Sequence, residues 1–200
     1  MPREGDVDES KRATLRRFAA LGAASPLVRL GDDSDSDAPD AILGYVTATP
    51  GAHFSKVRDD LQLGTGETQH HLRRLEEEGA VQSREDGDYR RFFPADRFSE
   101  FEQVALGYLR RETPRGMVVA LLRNPDVSAG GLADALDVSR PTVSKHAARL
   151  ESAGLLSRED GYELVDPETM LLLLVRHADS FGDAAAALAA EADELVSYDR

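Results

Sequence analysis

Residues 65 to 94, TGETQHHLRRLEEEGAVQSREDGDYRRFFP, predict a helix that leads directly into a β-hairpin. Thr65 is expected to cap the helix, because its hydroxyl can accept a hydrogen bond from an unpaired backbone N–H of the first turn. Leu72 and Leu75 lie three residues apart and are expected to pack inward on one face. Gly79 is expected to end the helix in a left-handed conformation. The polar side chains of this helix therefore face outward.

The hairpin is expected to follow at once. Residues 81 to 84 and 89 to 93 have the composition of short strands, and residues 85 to 88 would join them. Gly87 can supply the positive φ that a hairpin turn requires. Three arginines lie on this hairpin, at Arg84, Arg90 and Arg91. The unit is thus a polar helix followed by a basic hairpin.

The chain contains a second copy of this unit. At an offset of 75 residues without a gap, eleven positions from Ile42 to Gly79 match positions from Met117 to Gly154, and His71 matches His146. After the loss of one residue, both copies contain Ser-Arg-Glu-Asp-Gly, at residues 83–87 and 157–161. A repeat of this length predicts two copies of one helix–helix–helix–hairpin domain.

The strings TGETQHHLRRLEEEGAV and VSRPTVSKHAARLESAGLL resemble the ArsR-like and MarR-like winged helix-turn-helix transcriptional regulators. The resemblance covers residues 38 to 165. It implies a mainly α fold with small β-hairpin wings, in which two winged helix-turn-helix domains are joined by a helix and followed by C-terminal helices. It also implies a sequence-specific regulator whose partner is double-stranded DNA.

The sequence divides accordingly into five parts. Ser99 and Glu102 form a predicted capping box, which places a packed helix between the two repeats. The run Asp32 to Asp37 alternates with serine and predicts a flexible acidic linker. The parts are an N-terminal helix and acidic linker at 1–37, the first domain at 38–97, the linker helix at 98–112, the second domain at 113–165 and the C-terminal helices at 166–200.

The composition is acidic, with a formal net charge of −13, and its cations are 21 arginines and only three lysines. This profile resembles that of proteins from salt-loving archaea, so acidity is weak evidence against binding to nucleic acid. At about 1 M salt the Debye length is roughly 3 Å, and only charges near contact interact. The sequence has no cysteine and no apolar run of transmembrane length.

The N-terminal stretch TLRRFAAL at residues 14 to 21 faintly resembles a twin-arginine export signal. Its apolar part is short and is broken by Pro26, so an N-terminal helix that packs on a domain or a partner is the preferred interpretation. The expected location is the cytoplasm.

The candidate DNA-binding residues lie on the two outward helix faces and on the hairpins. In the first repeat they are Thr65, Thr68, Gln69, His70, Arg73, Arg74, Arg84, Arg90 and Arg91. In the second they are Ser139, Arg140, Thr142, Ser144, Lys145, Arg149 and Arg158. Helix-turn-helix proteins place such a helix in the major groove, where arginine pairs with guanine and glutamine with adenine. Gln69, His70 and Arg73, and in the second copy Arg140, Thr142, Ser144 and Lys145, are the candidates for base contact.

Other functions are less well supported by the residues. His70, His71 and His146 lack the cysteines or the spaced histidine pair that a zinc site needs, so no metal or cofactor is expected. No nucleophile with an adjacent base and no glycine-rich phosphate loop is present, so no enzymatic activity is expected. The alternative is a protein-interaction scaffold, similar to the paired winged-helix subunits of chromosome-condensing complexes. Acidic or apolar outward faces on the two helices would favour that alternative.

The C-terminal region begins with a strongly apolar helix from Met170 to Val175, followed by an alanine-rich helix extending to about Ser197. So many adjacent apolar residues exceed what a solvated helix carries. The helix either caps the second domain or meets a second subunit, and the family resemblance favours a homodimer through the C-terminal helices.

Overall fold

The computed structural model describes residues 4–23 and 38–192. It divides into two compact units, Met1–Phe98 and Ser99–Arg200. The first contains helices α1 (Glu4–Ala23), α2 (Ala38–Ala48), α3 (Phe54–Asp60) and α4 (Thr65–Glu77), with strands β1 (Ala52–His53), β2 (Val81–Asp86) and β3 (Tyr89–Pro94). The second contains helices α5 (Glu100–Leu109), α6 (Glu112–Arg123), α7 (Ala129–Ala135), α8 (Arg140–Ser152), α9 (Pro167–Arg176), α10 (Ala178–Phe181) and α11 (Asp183–Ala190), with strands β4 (Leu156–Ser157) and β5 (Glu163–Leu164).

The sheet of the first unit is antiparallel with strand order β1-β3-β2. The β2–β3 hairpin, which we call the first wing, pairs residues up to Asp86 and Tyr89 and so has a two-residue turn. The predicted connection of four residues, 85 to 88, was therefore too long, because Glu85 and Asp86 continue the ladder. Gly87 has φ = 61°, as the turn was predicted to require.

The core of the first unit lies between α2, the inner faces of α3 and α4, and the sheet. Ile42 and Val57 are fully buried there, and Leu72 and Leu75 of α4 face inward as predicted. The Tyr45 hydroxyl donates a hydrogen bond to Asp60 Oδ2 at 2.7 Å, which satisfies the polar end of a buried ring. The inward packing of α4 leaves its other face exposed.

Helix α1 packs on α2. Leu15, Phe18 and Ala19 contact the core of the first unit, and the Phe18 ring meets the Tyr45 ring edge-on at 5.1 Å. The helix spans 20 residues, Glu4–Ala23, within the part of the chain where an N-terminal helix was expected. The predicted acidic linker lies outside the described residues.

The second unit begins with the predicted capping box. The Ser99 N–H donates to Glu102 Oε2 at 2.7 Å, and the Glu102 N–H donates to Ser99 Oγ at 3.3 Å. The two bonds satisfy backbone donors that the first turn of α5 leaves unpaired. The linker sequence is therefore a packed helix of the second unit, with Ala105, Leu106 and Leu109 buried.

The repeat is reproduced in the backbone. Helices α7 and α8 have the same lengths as α3 and α4, and each begins 75 residues after its counterpart. The turn before α4 has Gln62 at φ = 55°, and the turn before α8 has Asp137 at φ = 51°. The residues that end the two helices, Gly79 and Gly154, have φ = 70° and 71°. The equivalent turns keep the same backbone conformation although their side chains differ.

The C-terminal helices close the core of the second unit. Met170, Leu173 and Leu174 of α9 are buried within it, so these side chains cap the domain, as one of the two interpretations predicted. Leu172 projects outward and is 51% exposed. Gly182, at φ = 90°, separates α10 from α11, and the predicted end of the alanine-rich helix lies outside the described residues. Among the described residues, no helix has the length and apolar character needed to cross a bilayer.

The packing of α1 predicts a measurable contribution to stability. Phe18→Ala should lower the free energy of unfolding by about 2 kcal/mol, because it removes a half-buried aromatic ring from the core. Urea denaturation monitored by circular dichroism measures this loss. Arg16→Ala, on the exposed side of the same helix, is the control and should unfold like the parent; equal midpoints for the two variants would show that α1 contributes no packing energy through Phe18.

Candidate nucleic-acid interface

The outward face of α4 is polar. Thr65, Gln69, His70, Arg73 and Arg74 are all exposed. The predicted cap at Thr65 is wrong by one residue, since Gly64 occupies the cap position and Thr65 is the first helical residue. The Gly64 N–H donates to Glu67 Oε2 at 3.2 Å, so Glu67 performs the reciprocal half of a capping box without a hydroxyl partner. The Thr65 side chain is thus left on the exposed surface at the helix start.

Thr68 does not belong to this surface. Its side chain is fully buried, and its hydroxyl donates to the Gly64 carbonyl oxygen at 2.9 Å. The expectation that Thr68 contacts DNA is corrected by this position, because a buried hydroxyl paired one turn back cannot reach a ligand. Its role is to hold the first turn of α4.

The two arginines of α4 differ in their electrostatic environment. Arg74 Nε lies 2.7 Å from Glu78 Oε1, an i, i+4 pair on one face of the helix. Arg73 forms no ion pair with any described residue, and it stands one turn after Gln69 on the outward face. Arg73 is consequently the arginine of α4 whose charge is available to a partner.

The first wing is joined to α4 by hydrogen bonds. Arg90 Nη2 donates to Glu76 Oε1 at 2.7 Å, and Arg90 Nε donates to Ser83 Oγ at 2.8 Å. The Ser83 hydroxyl donates to the same carboxylate oxygen at 2.5 Å. Arg90 remains exposed, so it presents its outer edge to solvent beside α4.

Arg91 is not a surface residue. It is 3% exposed, its Nε is hydrogen-bonded to Asp86, and its Nη1 donates to the Gly51 carbonyl oxygen at 2.9 Å. The expectation that Arg91 contacts a phosphate is therefore corrected: adjacent strand residues point to opposite sides, and Arg91 points inward where Arg90 points outward. Arg84, on β2, is half-buried.

A groove of about 640 Å³ separates α4 from the first wing. Its floor is apolar and its rim is polar. The lining residues are Phe54, Thr65, Gln69, Leu72, Arg73, Glu76, Glu77, Arg90 and Phe92. Gln69 and Arg73 therefore stand on the same side of the unit as the exposed edge of the wing.

Helix α8 presents an equivalent face in the second unit. Ser139 caps it, since the Thr142 N–H donates to Ser139 Oγ at 3.3 Å, and the two hydroxyls are 2.8 Å apart. Arg140, Ser144, Lys145 and Arg149 are exposed and Thr142 is half-buried. In the described part of the chain, Arg140, Lys145 and Arg149 have no carboxylate partner, so this face is cationic.

The hairpin of β4 and β5, the second wing, is short. Each strand has two residues. Its single arginine, Arg158, donates to Glu151 of α8, with Nε 2.8 Å from Glu151 Oε2. The second wing thus has one arginine, whereas α8 presents three exposed cations, Arg140, Lys145 and Arg149.

His71 and His146 occupy equivalent flanks of α4 and α8 and are both half-buried. Burial lowers the pKa of each imidazole below 6.5, and nearby cationic side chains act in the same direction. His71 Nδ1 is buried without a hydrogen-bond partner in the described structure. The two histidines therefore belong to the packed side of their helices and not to the outward faces.

Comparisons with known proteins agree with this geometry. Residues 36–106 match a family model described as an N-terminal HTH domain, and residues 116–162 match a model of the MarR family. The chain is 28% identical over 125 residues to an uncharacterized HTH-type transcriptional regulator of Methanocaldococcus jannaschii. That match covers 62% of this chain and 31% of the relative. No solved structure matches the chain.

These matches confirm the resemblance inferred from the recognition-helix sequences, and they support a DNA-binding regulator. The matched families are regulators and not enzymes. The mainly helical architecture with small antiparallel hairpins is the one that the resemblance implied.

The different environments of the two adjacent wing arginines predict different effects on stability. Arg91→Ala should destabilise the first unit by about 3 kcal/mol, because it leaves the partly buried Asp86 carboxylate without its cation. Arg90→Ala should cost at most about 1 kcal/mol, since its pair is solvent-exposed. Urea denaturation of both variants measures the difference. Similar losses would show that Arg91 has no special structural role.

The lowered pKa of His71 predicts a pH effect. His71 of the unfolded chain, with a pKa near 6.5, binds a proton more readily than His71 of the folded chain. The free energy of unfolding is therefore at its full value above pH 6.5, and it falls as the pH decreases from 6.5 towards the lower pKa of the folded state. His71→Gln removes that contribution and should reduce the loss of stability between neutral and mildly acidic pH. Denaturation midpoints measured across this range test the effect. A pH profile identical to that of the parent would contradict it.

Proposed function

We propose that this chain, whose two winged domains are similar to those of helix-turn-helix transcriptional regulators, binds double-stranded DNA and reads its sequence through both domains. α4 and α8 are the recognition helices, and the two domains of one chain occupy neighbouring half-sites. The observation that carries this proposal is the recurrence, at repeat-equivalent positions, of an outward polar face on a helix whose opposite face is buried.

The second recognition helix is suited to phosphate and base contacts together. Three of its cations, Arg140, Lys145 and Arg149, have no carboxylate partner in the described part of the chain. Ser139 and Thr142 place hydroxyls at the helix start, where backbone N–H groups also favour a phosphate. An acidic or apolar face, which the scaffold alternative requires, is not what α8 presents. The charge of this helix therefore supports DNA as the partner.

The first recognition helix is suited to base readout. Gln69 and His70 lie one turn before Arg73 on the outward face, and Arg73 has no carboxylate partner among the described residues. Glutamine and arginine can each make two hydrogen bonds to a base edge, and one such pair contributes roughly 1 to 3 kcal/mol of discrimination. The first wing carries Arg90 beside this helix as a phosphate or minor-groove contact, whereas Arg84 pairs with Arg91 across the strands and lies on the opposite face of the wing. In the second unit the candidate is Arg158, which aligns with Arg84 in the repeat and is hydrogen-bonded to Glu151 of α8.

The test is a fluorescence anisotropy titration of the full chain. The labelled duplex is first selected from a random library with the parent protein, and its scrambled sequence serves as the competitor. A potassium chloride series that reaches molar concentration is used because the acidic composition resembles that of proteins adapted to such salt. Tighter binding to the selected duplex is expected at every salt concentration. Equal affinity for the two duplexes throughout the series would favour the scaffold alternative.

Substitutions separate the two kinds of contact. Arg73→Ala should reduce the preference for the selected duplex by about tenfold, because it removes one base contact. Arg149→Ala, which is outside the candidates for base contact, should weaken binding to both duplexes about equally and should lower the log–log salt slope by about 0.9 if one phosphate contact is lost. Both residues are exposed, so neither change should unfold the chain; Arg16→Ala on α1 is the matched control. If both variants bind DNA like the parent, the assignment of the helices is incorrect.

We also propose that the chain forms a homodimer through its C-terminal helices. The expected contact face is revised by the structure, since Leu174 points into its own domain while Leu172 projects outward. Val165, which lies between β5 and α9, is also exposed, at 57%, so exposed apolar surface is present near the start of α9. A second copy of this face would cover it.

Two leucines of α9, two positions apart, distinguish a dimer contact from a domain cap. Leu172→Glu should give a folded monomer, because a carboxylate cannot be buried without a partner at the interface. Leu174→Glu should unfold the second unit instead, since this side chain has no exposed surface. Light scattering and circular dichroism measure the two outcomes. A parent protein that is already monomeric would refute the dimer proposal.

A further inference from the structure

Each recognition helix carries a glutamate that is bonded to an arginine of its own wing. Glu76 accepts hydrogen bonds from Arg90 and Ser83, and Glu151 accepts from Arg158. Glu76 and Glu151 are separated by the 75-residue offset of the repeat and therefore occupy the same helical position. The two units thus have the same helix-to-wing contact.

The arginines in these contacts come from different strands. Arg90 lies on β3, the second strand of the first wing. Arg158 follows β4 and aligns in the Ser-Arg-Glu-Asp-Gly sequence with Arg84 on β2. The glutamate therefore lies at the same helical position in both units, whereas the arginine that pairs with it lies on the second strand of the first wing and after the first strand of the second wing. Both domains thus form an ion pair between the recognition helix and the wing, although the arginines are not at equivalent positions of the repeat.

The position of Glu76 gives the contact a consequence for DNA binding. Glu76 follows Arg73 by three residues and Gln69 by seven, which places it at the wing end of the outward face. An uncompensated carboxylate there would repel the phosphates of a bound duplex. Arg90 neutralises it, and the same bond fixes the guanidinium beside the helix.

We propose that Glu76 and Glu151 are positioning residues that set the specificity of DNA binding. Each holds a wing arginine at a fixed place beside its recognition helix, so that the helix and the wing contact the duplex as one surface. The glutamate partly neutralises the charge of the arginine that it holds. The arginine is therefore attracted less strongly to the phosphates of DNA of arbitrary sequence. This inference rests on the proposed function and adds the origin of its selectivity.

The decisive variant is Glu76→Gln in the full chain. Loss of the carboxylate should release Arg90 towards phosphate, so binding to the scrambled duplex should tighten by roughly two- to fivefold, the range expected for an exposed pair. The dependence of binding on salt should steepen by about 0.9 in the log–log slope if one phosphate contact is gained. The ratio of affinities for the selected and scrambled duplexes should fall.

Glu77→Gln is the matched control. Glu77 is the next residue on the same helix, lines the same groove and has no ion-pair partner among the described residues. It undergoes the same change of charge without releasing an arginine. Binding to both duplexes should then change by the same factor, and the affinity ratio should stay as in the parent. Equal behaviour of the two variants would overturn the inference.

A double variant identifies which side chain is responsible for the tighter binding of Glu76→Gln to scrambled DNA. Adding Arg90→Ala to Glu76→Gln should remove the extra binding to scrambled DNA and the steeper salt slope. If the double variant keeps both, another group is responsible and the positioning role is refuted. A thermal unfolding midpoint lowered by Glu76→Gln, with the affinity ratio unchanged, would show that the contact serves stability alone.

The same titrations separate this inference from the proposed function. A parent protein that binds the selected and scrambled duplexes equally at every salt concentration refutes both. A parent that discriminates between them, with Glu76→Gln matching Glu77→Gln, refutes the positioning role alone. Glu151→Gln should repeat the effect of Glu76→Gln in the second domain, because Arg158 is held in the same way.

Discussion

The directions of α4 and α8 each depend on one tight turn. Before α4 the chain passes through Gln62 in the left-handed region, and the Leu63 N–H donates to the Arg58 carbonyl oxygen at 3.0 Å. The same bond joins Val138 to Ala133 before α8, at the same distance. Residues other than glycine enter this region at an energetic cost, so the packed helices on both sides must maintain the turn. The exposed face of each helix follows from this constraint.

Burial on one side of the helix then determines what the other side can do. Leu72 and Leu75 fix the rotation of α4 about its axis, as Val143 and Leu150 fix that of α8. Once the rotation is fixed, the polar residues in the remaining positions are directed outward as a group. Histidines on the boundary are partly withdrawn from water, and this withdrawal lowers the pKa of His71 and His146. The packing of one face of each helix therefore determines which residues form the candidate interface on the opposite face.

Most of the fold could be predicted from the sequence because the repeat provides two independent patterns for each element. The capping box at Ser99 and Glu102 and the inward positions of Leu72 and Leu75 depend on local spacing. The sequence could also have shown that Arg90 and Arg91 do not both face outward, since adjacent residues of a strand point to opposite sides. Thr68 was harder to assign, because burial of a hydroxyl on a helix depends on neighbours that are distant in sequence. The pairing of Arg90 with Glu76 joins residues of the helix and hairpin across the wing, and no periodicity within either element indicates it.

The two wings differ greatly in length. The first has strands of six residues and the second has strands of two. The two halves of one chain are therefore not interchangeable, although their helices follow the same plan. A DNA site contacted by both domains of a single chain has no internal twofold symmetry, so its reverse complement is a different site. If both domains of one chain bind DNA as proposed, exchanging the two half-sites should change the affinity of that chain for the duplex.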